Sequence, residues 1–315
     1  MIIDTHSHLN TSTNGFYFFN GLSISNFVSS YPDDYKAIVC LNPKISEFSC
    51  PNDCTQHCGY YSKNFNVEKC KKGCLYENIH PVSTVDSSSN SLTLQCLKCG
   101  TIIYKGEDPL RKYNIALLKQ TTNFPNTLYP MIYLNISNNT IANEIQFYEK
   151  NYPIVGYKIH PQTNYRSIDD LDDIPTELPI LVHTGIGKYD HPKFAIEFSK
   201  RHKGIVILAH ACRLDIDSLK AVNDSPNLYL DVCPSHMLFN SKDFAIAAPI
   251  RESIQSPQDI YKTVLKYVSI DKILFGSDYA WGLPKAELAI VQSLPISDKD
   301  KEKILYRNAI NVYKL

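Results

Sequence analysis

The chain has 315 residues, 43% hydrophobic and 20% charged, the composition of an ordinary globular protein long enough for one large domain with an addition. Lys plus Arg (32) equals Asp plus Glu (32), so no whole-molecule field gathers polyanions or anionic membranes, and a nucleic-acid partner would need a local basic patch. No uninterrupted apolar run reaches the roughly 18 residues that span a bilayer, and the polar motif at residues 4–8 leaves no room for a signal peptide, so a cytoplasmic location without membrane contact is expected.

The first residues, Met1-Ile-Ile-Asp4-Thr-His6-Ser-His8, run from an apolar start into a DxHxH. In a regular strand alternate side chains share a face, which puts Asp4, His6 and His8 on one side and Ile3, Thr5 and Ser7 on the other. Two imidazoles about 7 Å apart along a strand, given a rise of roughly 3.3 Å per residue, can converge on one cation at its end. Neutral imidazole is the commonest metal ligand among side chains. Ala37-Ile-Val-Cys-Leu41 is the second strand candidate.

From Pro43 to Tyr113 the character changes. Seven of the ten cysteines fall here (Cys50, Cys54, Cys58, Cys70, Cys74, Cys96 and Cys99), with few large aliphatic residues to build a core. In a reducing compartment clustered thiols bind metal more often than they pair as disulfides. Cys96-Leu-Lys-Cys99-Gly100 has the CxxCG pattern of a zinc knuckle, while Cys54/Cys58 and Cys70/Cys74 are wider pairs. One or two structural zinc ions are expected, with His57 or His80 as possible partners; an iron–sulfur cluster on Cys50, Cys54 and Cys58 is the competing reading.

Beyond this stretch, helical patterns alternate with apolar runs: Leu128 to Leu134, Ile154 to His160, Ile180 to His183, Ile205 to His210, Leu228 to Cys233 and Lys272 to Asp278. Eight strands alternating with helices argue a closed parallel (β/α)8 barrel, formed by residues 1–42 and 114–315. What remains after removing residues 43–113 is close to the roughly 250 residues of a typical barrel. The Cys-rich stretch is then an insertion between the second strand and its helix, on the face where barrel enzymes keep their active sites.

Ionisable residues recur at the carboxyl ends of these runs: His6 and His8, Lys158 and His160, His183, His210 and Asp278. In a barrel those ends ring one mouth. The pieces Asp4-Thr-His-Ser-His8, Gly156-Tyr-Lys-Ile-His-Pro161, Leu181-Val-His-Thr-Gly185, Leu208-Ala-His-Ala211 and Phe275-Gly-Ser-Asp278, taken in order, resemble the amidohydrolase superfamily, and most closely its amidohydrolase-2 branch, which includes aminocarboxymuconate-semialdehyde decarboxylase. The resemblance implies a barrel enzyme with zinc at its mouth. It makes His6, His8, His183 and Asp278 the metal ligands, puts His210 beside the metal to polarise the substrate or hold water, and gives Asp278 a second role as general base. In binuclear relatives a carbamylated lysine of the fourth strand bridges two ions. Similar Gly-x-Lys-x-His-Pro segments of this branch accompany one, so one ion is favoured here and Lys158 would bind a substrate anion.

The chemistry fits those residue types. Zinc on neutral imidazoles and one carboxylate lowers the pKa of a bound water to about 7, and a carboxylate such as Asp278 can take its proton. The activity implied is a metal-dependent hydrolase acting on an amide, ester or lactone bond of a small molecule, with non-hydrolytic decarboxylation as a variant. A nuclease resembling the TatD-like deoxyribonucleases is the alternative, disfavoured by zero net charge and by the lack of a glutamate at the fourth-strand end. His160 and Arg251 are candidate substrate-binding residues, with Arg213, His191 and His236 as further candidates. Guanidinium pairs bidentately with carboxylates or phosphates.

The insertion's scarcity of aliphatic residues generates a test. Ordering costs roughly 1–2 kcal/mol per residue, whereas structural zinc in finger peptides supplies about 10–16 kcal/mol. Cys96→Ser with Cys99→Ser should therefore make residues 43–113 protease-sensitive while the barrel resists, as limited proteolysis with mass spectrometry would record. Unchanged resistance and unchanged zinc content would remove these cysteines from the ligand set.

Overall fold

The computed structural model describes residues 1–9, 34–41, 81–86, 91–96, 102–107, 109–136, 141–164, 166–240, 248–279 and 281–315. The strands, numbered in chain order, form two sheets. Strands β1 (Ile2–Leu9), β2 (Tyr35–Leu41), β6 (Leu128–Leu134), β7 (Gly156–Ile159), β8 (Ile180–Val182), β9 (Val206–Leu208), β10 (Leu228–Asp231) and β11 (Ile273–Leu274) pair in that order, every pair parallel. Thr5 N donates to Phe275 O at 2.9 Å and Asp278 N to His6 O at 2.7 Å, and Ser7 bridges Tyr279. The chain following β11 thus returns to β1, and the sheet closes into the expected (β/α)8 barrel.

Helices Pro109–Thr121, Ile141–Asn151, Pro192–Ser199, Ile216–Asp224 and Pro257–Leu265 lie between the strands, and Pro284–Ser293 follows the last one. Pro192, Pro257 and Pro284 open three of them, where a missing N–H costs nothing and a fixed φ suits the first turn. Between β7 and β8 only the short helix Pro161–Asn164 and a 3-10 turn, Ile168–Asp170, are found among the described residues.

Two apolar layers result from the alternation of side chains along the strands. Ile3, Ile38, Cys40, Met131, Leu181, Ile207 and Leu274 pack inside the ring, with Ala309, Val312 and Tyr313 of the C-terminal helix Asn308–Tyr313 joining them. Ile2, Tyr35, Ala37, Val39 and Leu41 face the other way, into the layer shared with the helices.

Strands β3 (Pro81–Asp86), β4 (Ser91–Cys96) and β5 (Ile102–Glu107) form a separate antiparallel sheet within the Cys-rich stretch. Cys96 ends β4. Cys50, Cys54, Cys58, Cys70, Cys74, Cys99, His57 and His80 lie outside the described residues. The helix Pro109–Thr121 begins inside the stretch assigned to the insertion, because its apolar face packs on β2 and β6. No helix among the described residues is long and apolar enough to cross a membrane.

Strand β1 departs from regular alternation. Its register with β2 shifts between Asp4, opposite Ala37, and Ser7, opposite Val39, so three steps on β1 match two on β2. This bulge reverses the face. Asp4 pairs with Ala37 of the helix-facing layer, whereas His8 pairs with Cys40 of the interior, so Asp4 does not share a face with His8 as a regular strand would require.

Asp4 instead fastens the bulge. Fully buried, it accepts from Tyr35 Oη (2.6 Å), Ser7 Oγ (2.8 Å), Ser277 Oγ (2.5 Å), His6 N (3.1 Å) and Ser277 N (3.0 Å), joining β1, β2 and the segment after β11. Burial pushes its carboxyl up to about 6 against the pull of those donors. Asp4→Ala should cost about 3 kcal/mol or more, because several buried donors lose their acceptor at once, while Tyr35→Phe should cost about 1 kcal/mol. Urea denaturation monitored by circular dichroism checks both; equal costs would show that Asp4 is not the hub of this closure.

Candidate metal centre

The bulge and strand ends bring His6, His8 and Asp278 together. His6 places Nδ1 2.9 Å from Asp231 Oδ2, and His8 places Nδ1 2.8 Å from Leu41 O. With those nitrogens committed, each ring turns Nε2 toward Asp278 Oδ1, at 3.4 Å from His6 and 3.2 Å from His8. All three residues are buried. Gly276 allows the approach: a Cβ there would stand 2.9 Å from Cys233 Sγ and 3.1 Å from His6 Cβ.

The donor set suits a divalent metal ion. At metal–ligand distances of about 2.0–2.2 Å, neighbouring ligands of one ion stand roughly 3.0–3.5 Å apart, which is the separation of Asp278 Oδ1 from either Nε2, and the three residues offer donor atoms within 4.8 Å of one another. The hydrogen bonds from Nδ1 to a carboxylate and a carbonyl are the outer partners that orient metal-binding histidines. A second buried group, His6, His210, Asp231 and Cys233, also brings its donor atoms within 4.8 Å of one another. In it, Asp231 and Cys233 meet the Nδ1 side of His6, with Cys233 Sγ at 3.3 Å.

A second knot of imidazoles adjoins the trio. His210 Nδ1 donates to Cys233 O at 2.7 Å, so its Nε2 accepts from His183 Nδ1 at 2.9 Å. His183 stacks on His160, ring centroids 3.6 Å apart, and its Nε2 is 3.7 Å from Asp190 Oδ2. His210 through Leu214 have φ of 61°, 51°, 50°, 54° and 56°, a left-handed turn without a glycine. Such backbone costs roughly 1–2 kcal/mol per residue. Hydrogen bonds hold it: His210 N donates to Asp231 Oδ1 at 2.9 Å and Arg213 Nε to Thr184 O at 2.9 Å.

Residues 151–315 match the model of the amidohydrolase family, more than half of the chain. The chain belongs to that family. No curated protein matches it. Among solved structures, the chain is similar in fold to a 2,6-dihydroxybenzoate decarboxylase from Rhizobium, with 11% identity, a TM-score of 0.55, and coverage of 99% of this chain and 98% of the other. An apo protein of Agrobacterium tumefaciens is similar at 10% identity, a TM-score of 0.54, and coverage of 100% and 96%.

Electrostatics at the mouth favour neutral rings at four of its five histidines. Burial, reinforced by neighbouring cations, holds His6, His160, His183 and His210 well below the ordinary histidine range. Burial alone would lower His8 too, but Cys40 and Asp278 outweigh it and push His8 up to about 10, so a metal ion would have to displace its proton. Burial would raise Asp278, yet His6, His8 and Lys158 hold it below the usual carboxylate range. Lys158, buried, approaches His6 Nε2 to 2.8 Å, on the lone pair that faces Asp278.

Of the sequence candidates, His6, His8, Asp278, Lys158, His160, His183 and His210 thus meet at the mouth. His183 lies one ring away from the trio, with Nδ1 given to His210. Arg251 ends the short helix Ala248–Arg251, and the arginine whose charge acts on His183 and His210 is Arg213. His191 caps the helix Pro192–Ser199, accepting from Lys193 N at 3.2 Å. The Leu41 carbonyl that aims His8 and the Asp231 carboxylate that aims His6 complete the site; only Asp231 carries a side chain by which a sequence could suggest it.

Asp231→Ala should lower metal affinity about 10–100-fold, since it frees His6 to turn. Competition against a chelating dye would measure this. Wild-type affinity in the variant would mean that Asp231 is only a packing partner.

Proposed function

We propose that the chain is a metal-dependent hydrolase of small molecules, in which His6, His8 and Asp278 hold a divalent ion and His183 is a candidate fourth ligand. The observation that supports it best is the convergence of two Nε2 atoms and one carboxylate oxygen with both Nδ1 atoms already committed. Zinc suits imidazole-rich sites, and manganese suits those with more oxygen. When bound, such an ion supplies a Lewis acid that polarises a carbonyl and makes water nucleophilic at neutral pH.

The chain's own residues do the rest. Asp278, a carboxylate whose Oδ1 faces His6 and His8, keeps Oδ2 for a proton from the attacking water and its return to the leaving group. His210 stands with Nδ1 4.0 Å from Asp278 Oδ2 and hands its Nε2 to His183, so the pair orients the reacting group beside that carboxylate. Lys158 and Arg213, buried at the mouth, complement a negatively charged substrate. His160, stacked on His183, and Arg251 are the remaining substrate-contact candidates.

Decarboxylation of a small carboxylic acid is the second reading, favoured by those two buried cations and in keeping with the Rhizobium enzyme's name. One ion is proposed rather than two, with Lys158 as a cation rather than a carbamylated bridge. The Cys-rich stretch is proposed to carry structural zinc of its own.

Metal analysis of zinc- or manganese-loaded protein tests this. His8→Ala and Asp278→Ala should each lower bound metal by about one equivalent per chain and abolish turnover across a panel of lactones, esters, amides and aryl carboxylates. Lys158→Ala should impair turnover without changing metal content; loss of a second equivalent would establish a bridged pair. Full metal content in both His8→Ala and Asp278→Ala would sink the proposed centre.

A further inference from the structure

Beside the mouth lies a further carboxylate–imidazole pair that the metal centre does not use. Glu287, on the helix Pro284–Ser293, is fully buried. Burying a carboxylate costs several kcal/mol unless donors surround it. Here Ser235 Oγ donates to Oε2 at 2.6 Å, while His236 N and His236 Nδ1 stand 3.3 and 2.7 Å from Oε1. Two of the three donors thus belong to one residue, and they fix both its backbone and its ring.

The pair is at the mouth by connectivity and by packing. Ser235 begins the helix Ser235–Asn240 directly after Cys233 and Pro234, and Cys233 meets both His6 through Sγ and His210 through its carbonyl. That helix packs against the left-handed turn at His210–Leu214 and against the helix carrying Glu287. From the other side, the loop after Asp278 presses on Pro234: Gly282 N donates to Asp278 O at 2.8 Å, and a Cβ on Gly282 would come within 2.9 Å of Pro234 Cβ. His236 is therefore joined to both His210 and Asp278 through short, packed connections.

Its exposure distinguishes it from a packing residue. The Glu287 side chain is 0% exposed, but that of His236 is 23% exposed. With Nδ1 committed to Glu287, the nitrogen left for a ligand is Nε2. A purely structural role would be served by Ser235 and the backbone N–H, whereas the ring, held at Nδ1, adds a nitrogen not used by Glu287 on a partly exposed side chain. We propose that His236, held by Glu287, is a substrate-binding residue of this site, presenting Nε2 to a carboxylate oxygen of the small molecule. The buried cations Lys158 and Arg213 at the same mouth favour that ligand class. Glu287 acts through the ring and is a positioning residue. This inference rests on the metal-dependent reading of the mouth.

The test uses full-length, manganese-loaded protein and its His236→Ala, His236→Gln and Glu287→Gln variants. Metal content is measured first, then calorimetric affinity for benzoate, salicylate and 2,6-dihydroxybenzoate. All variants should keep wild-type metal content and remain folded, with His236→Ala lowering the melting temperature because Glu287 loses a donor. Carboxylate affinity should fall roughly tenfold or more in His236→Ala and less in His236→Gln, whose amide can still donate. Glu287→Gln should weaken binding while leaving metal content intact. Unchanged affinity in His236→Ala, or no carboxylate bound by the metal-loaded wild type, overturns this inference alone. A wild type that takes up no metal at the barrel overturns the underlying reading and this inference with it.

Discussion

The mouth depends on one additional residue in β1. Without the bulge between Asp4 and Ser7, His8 would fall on the face of Asp4, in the layer shared with the helices. With it, the strand enters the barrel core through Ile3 and, near its end, sets His8 opposite the interior Cys40. Bulges bend and twist a strand and so re-aim its side chains. This one is pinned by a buried carboxylate that gathers donors from three segments, so a defect in strand pairing becomes a fixed element of the site.

What the bulge aims, hydrogen bonds then orient. A histidine with two free nitrogens could present either to a cation, and the choice here is made by the partner of Nδ1: a carboxylate for His6, a carbonyl for His8 and another for His210. The partners of His8 and His210 lie on a neighbouring strand or just beyond its end, and that of His6 on β10, two strands away around the barrel, so the strand order sets side-chain direction. Groups fixed before a ligand arrives do not have to reorganise when it does. Burial acts in the same sense, since it keeps His6, His183 and His210 neutral and able to donate a lone pair.

The strands and the identity of most mouth residues were legible in the sequence, because parallel strands buried on both faces read as apolar runs and their polar ends stand out against them. The segments ending in His8, His160, His183, His210 and Asp278 all became barrel strands or their continuations. The bulge was not legible: alternation is the rule by which a strand is read, and one inserted residue leaves the composition unchanged. The pairing of His183 with His210 was also hidden, since which nitrogen faces which ring depends on the Cys233 carbonyl. Arg213 and Arg251 look equivalent in sequence, and only the turn after β9 decides that Arg213 is buried beside the histidines.

Strand β10 supplies no ring to the trio, yet it and the segment after it organise most of the mouth. Asp231 receives His6 Nδ1 on one oxygen and His210 N on the other, which ties a ring of β1 to the backbone leaving β9. Cys233 receives His210 Nδ1, and three residues later His236 is locked onto Glu287. The left-handed turn at His210–Leu214 is tolerable for the same reason. Five non-glycine residues at positive φ would unwind in isolation, but unwinding here would strip the acceptors Asp231 Oδ1 and Cys233 O of their donors inside a buried site, where an unmet polar group costs about 1–3 kcal/mol. The strain of that turn and the aim of His210 are thus opposite sides of one balance, and β10 is the strand that holds it.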